Sequence, residues 1–430
     1  MLPLHFTSLP TSPPSIGKDM AFFKREVIEN ESHITQKQKK EFEAVLKQAP
    51  KIESIDTLSL VTSQALAVFD NAHTTLLKPK MRRLPVRFHW LSDGLIIVKS
   101  TPEYAFLLGQ RVVNLGGKTP QSMLSVIPLV VGGGTQSWQR YRSEYFYSAP
   151  SALALFGADV VDYSVSLQVE SPDGEITTHT LKASDSVMPG DPFWDFKDSF
   201  PDDASFNTQG WNTLLRNDDT LPLYLKDTAQ LHAIHRIPNS HALYIRMNAS
   251  FDDTKLSIHN LTLRAKNEIK EGAIKNIIVD FRYNRGGDYT EILPFVKAIS
   301  ALARDNRQLY LIVGTNTFSA GIIASTQFKR YARDKLIVVG SEMGDALRFK
   351  AEGYYPTLPY SGVTLYLTKG WTDLENGCGW FDDCWPPNKF LLDAVGTFDI
   401  DIPVENDWNA YLTRHDLVLE AIESDIRAKE

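Results

Sequence analysis

The sequence predicts a mixed α/β protein, with a helical N-terminal region, a β-rich middle and a C-terminal part built on a mostly parallel sheet. Three observations predict it. Charged text with interspersed apolar positions fills the stretch from Lys18 to Gln48, the pattern of amphipathic helices. Short β-like runs bounded by turn signals fill residues 85–185. From about residue 232, apolar runs of strand length alternate with helical stretches. Such alternation implies parallel strands joined by crossover helices.

Taken in order, residues 1–16 are rich in Pro and Ser and read as a tail. MAFFKREVIENES and KKEFEAVLKQA are helical, and DTLSLVTSQALAVF is a further helix over Asp56–Phe69, with Asp56 as its cap. Residues 17–80 thus form a small helical region ending in NAHTTLL. Strands are expected at LPVRFHWL, GLIIVKS, GQRVVNLGGK, YSVSLQVE and TTHTLKA, with SPDGE as a hairpin turn between the last two. Residues 120–157 interrupt them with helical or irregular text, and 186–231, rich in Asp, Pro, Asn and Trp, form a long connection. In residues 232–426, HALYIRMNAS, NIIVDFR, QLYLIVG, KLIVVG and VTLYLT are strands. Helices are expected over KLSIHNLTLRAKNEIKEG, EILPFVKAISALARD and the stretch after NTFSAG.

The chain has 430 residues, enough for two to three domains and ample core; hydrophobic residues make up 43% and charged residues 23%. A formal net charge of -7 and the lack of a basic tract argue against a nucleic-acid partner. No stretch has the apolar length of a membrane span. The N-terminus has no charged leader followed by a long apolar run, so it does not read as a signal peptide. The compartment stays open, and a periplasmic or secreted home fits a chain from which a signal has been trimmed. Cys378 and Cys384 stand either as free thiols or as a local disulfide. No His or Cys cluster accompanies them, so no metal is expected there, and nothing in the sequence calls for a cofactor.

Three constellations carry chemistry. In NTFSAGIIASTQF, Ser319 stands where a strand turns into a helix. A serine there either caps the helix or exposes its hydroxyl beside the free N–H groups and positive dipole end of that helix. In VDFRYNRGGD, a strand ends in a turn with paired glycines, Gly286 and Gly287, which allow close backbone approach to a ligand. Asn71-Ala72-His73-Thr74 places a histidine after a helix. The His232/His235 pair lacks a carboxylate motif and is expected at the surface.

Together these motifs resemble the tail-specific, or C-terminal processing, serine peptidase family. VDFRYNRGG resembles its strand-and-glycine motif and TFSAG its nucleophile motif, with Ile322 where many members have Glu. LLGQRVVNLGGKTPQSML is similar to a stretch of its PDZ-like domain, and DIDIPVENDWNAYLTRHDLVLEAI to its C-terminal stretch. The resemblance implies a helical region at 17–80, a PDZ-like domain at 85–185, a connection at 186–231 and a catalytic domain at 232–426. That catalytic domain would have crotonase/ClpP-like αββ layers.

In one branch of the family a lysine about 25 residues after the serine is the base. Here that turn reads Gly340-Ser341-Glu342-Met343-Gly344-Asp345, with Asp345 or Ala346 at the lysine position and Lys335 and Lys350 misplaced. The resemblance therefore points to the tricorn and retinoid-binding-protein-like branch, in which a histidine serves the serine. His73-Thr74 fits that place, with Asn71 for the usual Asp. It implies Ser319 as nucleophile, His73 as base, Glu375 as the acid orienting it (Asp393 and Glu342 being alternatives), and N–H groups of Gly286, Gly287 and Ala320 as oxyanion donors. The implied activity is hydrolysis of unfolded chains or C-terminal tails through an acyl-enzyme, with a peptide or protein as partner. The competing readings are a degenerate peptide- or apolar-ligand-binding protein on the same scaffold and, more remotely, an acyl-CoA hydratase-type enzyme. Specificity and oligomeric state are not written in these motifs.

Overall fold

The computed structural model describes residues 15–77, 79–184, 201, 210–216, 218–271, 274–304 and 307–430. Residues 1–14 of the Pro/Ser-rich tail and most of the 186–231 connection lie outside them; the expected tail gives way to helix at Ile16.

Three helices open the chain: α1 (Ile16–Asn30), α2 (Gln36–Gln48) and α3 (Ile55–Ala67). The hydroxyls of Ser15, Thr35 and Ser54 accept the first free N–H groups of these helices, and Thr35 with Gln38 forms a reciprocal capping box. The cap of α3 is thus Ser54 rather than Asp56, whose carboxylate instead accepts the Arg82 N–H at 2.6 Å. The apolar faces meet around Phe23, Phe42 and Phe69, all buried. Each such ring contributes about 1.5–3 kcal/mol on burial.

A β-rich unit follows, with β1 (Thr75–Leu76), β2 (Val86–Leu91), β3 (Gly94–Ser100), β4 (Arg111–Leu115), α4 (Pro120–Met123), α5 (Gln136–Phe146), α6 (Pro150–Leu155), β5 (Val160–Val161), β6 (Ser164–Glu170), β7 (Ile176–Lys182) and β8 (Asn212–Thr213). Strands β2 to β8 form one seven-stranded sheet in the order β2-β3-β4-β6-β5, with β7 on β6 and β8 on β3. The expected hairpin joins β6 to β7, its turn closed by Ser171 and Glu175 and by Gly174 at φ 89°.

The C-terminal part contains β9 (His232–Ile237), β10 (Ala242–Met247), α7 (Ile258–Glu271), β11 (Asn276–Asp280), α8 (Tyr289–Arg304), β12 (Gln308–Val313), α9 (Ala320–Ala332), β13 (Leu336–Gly340), β14 (Arg348–Ala351), β15 (Leu365–Tyr366), β16 (Gly370–Asp373), α10 (Asn388–Leu391), β17 (Ile402–Pro403), α11 (Trp408–Thr413) and α12 (Leu417–Lys429). Its sheet has the order β17-β13-β12-β11-β10-β9, parallel throughout except for the β10–β9 pair. The strands β10 and β11 are buried along their whole length, as expected of a sheet covered on both faces.

Two features depart from the expected layout. The VTLYLT stretch does not extend the large sheet; β15 pairs antiparallel with β1, Thr75 opposite Tyr366, and so stitches the segment after His73 to the C-terminal part. The His232/His235 pair is not a surface pair either. His232 is buried and its Nε2 lies 2.8 Å from the Phe251 carbonyl, while His235, three residues on, points to the other face of β9. Among the described residues no group of side chains suits a metal ion, and no helix is long and apolar enough to cross a membrane. Cys378 and Cys384 form a disulfide.

Candidate active site

The two glycine-bearing motifs fold against each other. At the end of β12 the chain turns through Gly314–Phe318. Thr317 braces this turn, its hydroxyl donating to the Phe281 carbonyl at 2.8 Å and accepting from the Gly314 N–H at 3.0 Å. The Phe318 N–H donates to the Asn284 carbonyl at 3.0 Å, which ties the turn to Asn284 of the NRGG motif. Gly321 lies so close to that carbonyl that a methyl group on it would stand 2.3 Å from the oxygen. Gly286, at φ 103°, lies over the nucleophile candidate itself: a methyl there would stand 2.7 Å from Ser319 Cβ.

Ser319 occupies the N-cap position of α9, but its side chain caps nothing. Its backbone sits at φ 54°, ψ -122°, a conformation that costs a non-glycine residue about 1–3 kcal/mol. A strained serine on a sharp strand-to-helix turn presents its hydroxyl outward, and Ser319 is half-buried between buried neighbours. The simple capping role is therefore not what the geometry shows.

Of the expected oxyanion donors, the Gly286 N–H is already committed, donating to Asn284 Oδ1 at 3.1 Å. The Ala320 N–H is the first of α9, where no intrahelical acceptor exists. Gly287, at φ 138°, is packed against Ser250 and Phe251, and it is Gly286 that approaches the Ala320 nitrogen.

His73 is buried next to Ser319's neighbour. Its ring stacks on Phe318 at 4.3 Å between centroids and on Phe349 at 5.1 Å, with Tyr366 edge-on at 5.9 Å. Phe318 in turn stacks on Trp138 at 4.1 Å. Neither ring nitrogen of His73 hydrogen-bonds to a described group, Ser319 included. Catalytic hydrogen bonds are often loose before substrate binds.

The carboxylate facing His73 belongs to Asp345, whose Oδ2 stands 3.6 Å from His73 Nδ1. Both side chains are buried, at 1% and 7% exposure. Burial pushes the Asp345 carboxyl above its ordinary range, and the neighbouring His73 pulls it partly back. The sequence pointed to Glu375, which the structure places in an exposed turn after β16, away from this pair. The alternatives are also committed elsewhere: Asp393 pairs with Arg330 at 3.4 Å, and Glu342 accepts the Ser137 N–H at 3.2 Å. In the sequence, Asp345 serves only to exclude a lysine base. The usable signal was the place of that turn beside the nucleophile motif, whatever residue fills it.

Two further residues of the motifs have a structural role. Arg282 bridges Asp280 at 2.9 Å and Asp416, with its two terminal nitrogens 2.9 and 3.0 Å from the Asp416 oxygens. Asp416 also caps α12, so this clamp ties the end of β11 to the C-terminal helix. Lys350 is no base either: its Nζ is 2.8 Å from Glu31 Oε1.

No protein-family model matches this chain, and no curated protein matches its sequence. Solved structures do. Mature CPAF complexed with lactacystin superimposes with a TM-score of 0.56 and 11% identity, over 96% of this chain and 99% of that one. Mature CPAF alone gives a TM-score of 0.56 and 10% identity, over 94% and 93%. The photosystem II D1 C-terminal processing protease aligns over 96% of this chain and 99% of its own, at 12% identity and a TM-score of only 0.38. At these identities the likeness to mature CPAF shows a shared fold.

Proposed function

We propose that this chain is a serine peptidase that hydrolyses peptide bonds in unfolded chains or C-terminal tails through an acyl-enzyme. The observation that carries the proposal is Ser319: a serine held at φ 54°, capping nothing, at the start of a helix and one residue from a ring that stacks on His73. Strain of this kind persists where function demands it.

In the proposed mechanism His73 takes the Ser319 proton through Nε2 while Oγ attacks the scissile carbonyl. Asp345 faces Nδ1, so it takes the orienting role that the sequence assigned to Glu375. It favours the imidazolium that forms. The developing oxyanion is held by the N–H groups of Ala320 and Gly287, Gly286 being spent on Asn284. Each such donor typically contributes about two to three orders of magnitude in rate. His73 then protonates the leaving amine, the acyl-enzyme forms, and a water activated by the same histidine releases the acid. We read residues 85–185 as a PDZ-like unit that takes an extended peptide along a sheet edge, feeding the catalytic domain.

The test is hydrolysis of a denatured casein-type protein. Wild type cleaves it, and Ser319→Ala and His73→Ala each lower the rate by at least about a thousandfold. Cleavage that survives Ser319→Ala, or a wild type that binds unfolded chains without turnover, contradicts the proposal.

A further inference from the structure

Asp345 faces Nδ1 of His73 at 3.6 Å, beyond hydrogen-bond reach, so what brings the ring to that carboxylate is the rings it stacks on and the loop that carries it. We propose that the buried Glu31–Lys350 pair fixes both, which makes Glu31 and Lys350 positioning residues for the His73 base. The inference rests on the function proposed above.

Glu31 stands at the end of α1 with its side chain fully buried, and Lys350 is 5% exposed. The Glu31 carboxylate accepts four hydrogen bonds. Lys350 Nζ donates to Oε1 at 2.8 Å, Thr74 Oγ1 at 3.0 Å and Thr368 Oγ1 at 2.8 Å, while the Thr368 N–H donates to Oε2 at 2.8 Å. Thr74 directly follows His73. Asn71, two residues before His73, donates to Thr74 Oγ1 at 2.8 Å and accepts the Lys350 N–H at 3.3 Å. The loop is therefore gripped on both sides of the histidine. On the strand side, Phe349 precedes Lys350 in β14, and successive side chains of a strand point to opposite faces. Lys350 reaches Glu31 from one face while Phe349 stacks on the His73 ring from the other, the two ring planes 12° apart.

Such a pair is not explained by stability. Replacing a buried ion pair with apolar residues of similar volume is often neutral or stabilising. What apolar residues cannot reproduce is the convergence of four directed bonds that register a helix end, a loop and a strand against one another.

The test uses the double variant Glu31→Leu/Lys350→Met and the single variant Thr74→Val, on an internally quenched peptide that the wild type cleaves. For the double variant we expect a cooperative melt, an unchanged KM and a kcat lowered about ten- to a hundredfold, the cost of an ångström of misplacement. The His73 Cε1–Hε1 NMR resonance should move as the ring shifts between Phe318 and Phe349. Wild-type kcat with an unmoved resonance overturns the proposal. Thr74→Val removes the hydroxyl that donates to Glu31 and accepts from Asn71, and keeps its volume; it should lower kcat several-fold at constant KM, and it decides the question if the double variant does not fold. An inactive wild type defeats the functional reading, and the His73 resonance still tests the positioning.

Discussion

Replacing Gly286 with alanine tests how the two glycine-bearing motifs meet. The added methyl would stand 2.7 Å from Ser319 Cβ, 3.0 Å from the Ala320 nitrogen and 3.1 Å from the Phe318 carbonyl. Carbon atoms rest at about 3.5–4.0 Å, so Ser319 must retreat by about 1 Å. The backbone at φ 103° adds about 1–3 kcal/mol of strain for alanine. A displacement of about 1 Å at a nucleophile costs about a hundredfold in rate. The assay is the second-order rate constant for labelling by a fluorophosphonate, read beside a thermal melt. Gly174→Ala is the control: its φ is 89°, but a methyl there meets nothing within 4 Å. We expect Gly286→Ala to label about a hundredfold more slowly and Gly174→Ala to label like wild type. A Gly286→Ala rate within threefold of wild type would refute the placement of Gly286 over Ser319.

Three other outcomes follow from the same geometry. Ser319→Gly relieves the strain at φ 54° and should raise the unfolding free energy by about 1 kcal/mol while abolishing labelling, and a destabilised variant would show that the conformation is unstrained. Arg282→Met leaves Asp280 and Asp416 buried without their cation, so denaturant unfolding should show a loss of about 3–5 kcal/mol; a loss under 1 kcal/mol contradicts the clamp. Asp345 has a raised pKa, so the native state holds its proton from about pH 3.9, the unfolded value, up to the folded value. Its contribution to stability is complete below that window and is lost as pH rises through the folded pKa. Asp345→Asn carries no such proton, so its melting temperature relative to wild type should be more favourable at pH 7 than at pH 4. The reverse order would contradict the burial of that carboxyl.

The large sheet was legible because its strands are apolar runs of strand length between helical stretches, and burial on both faces leaves that mark in the text. Ser319 and His73 were singled out through motifs, local patterns that can be read without knowledge of distant contacts, and their roles stand as proposals. The acid was not. Asp345 is far from His73 in sequence, and only the fold of the turn after β13 brings it to Nδ1. The pairing of β15 with β1 was hidden for the same reason, since a two-residue strand has no periodicity to show. Glu31 reads as an ordinary helix-end carboxylate, and its burial depends on Lys350 arriving from across the molecule. The commitment of the Gly286 N–H to Asn284 Oδ1 is a side-chain rotamer, which no sequence pattern encodes.

The most direct test of the central claim is the site and dependence of fluorophosphonate modification. Intact mass followed by peptide mapping should find one adduct, on Ser319, formed by wild type, lost in Ser319→Ala and slowed by at least about a hundredfold in His73→Ala. An adduct on another residue, or one formed at the wild-type rate without His73, would contradict the assignment of Ser319 and His73 as nucleophile and base.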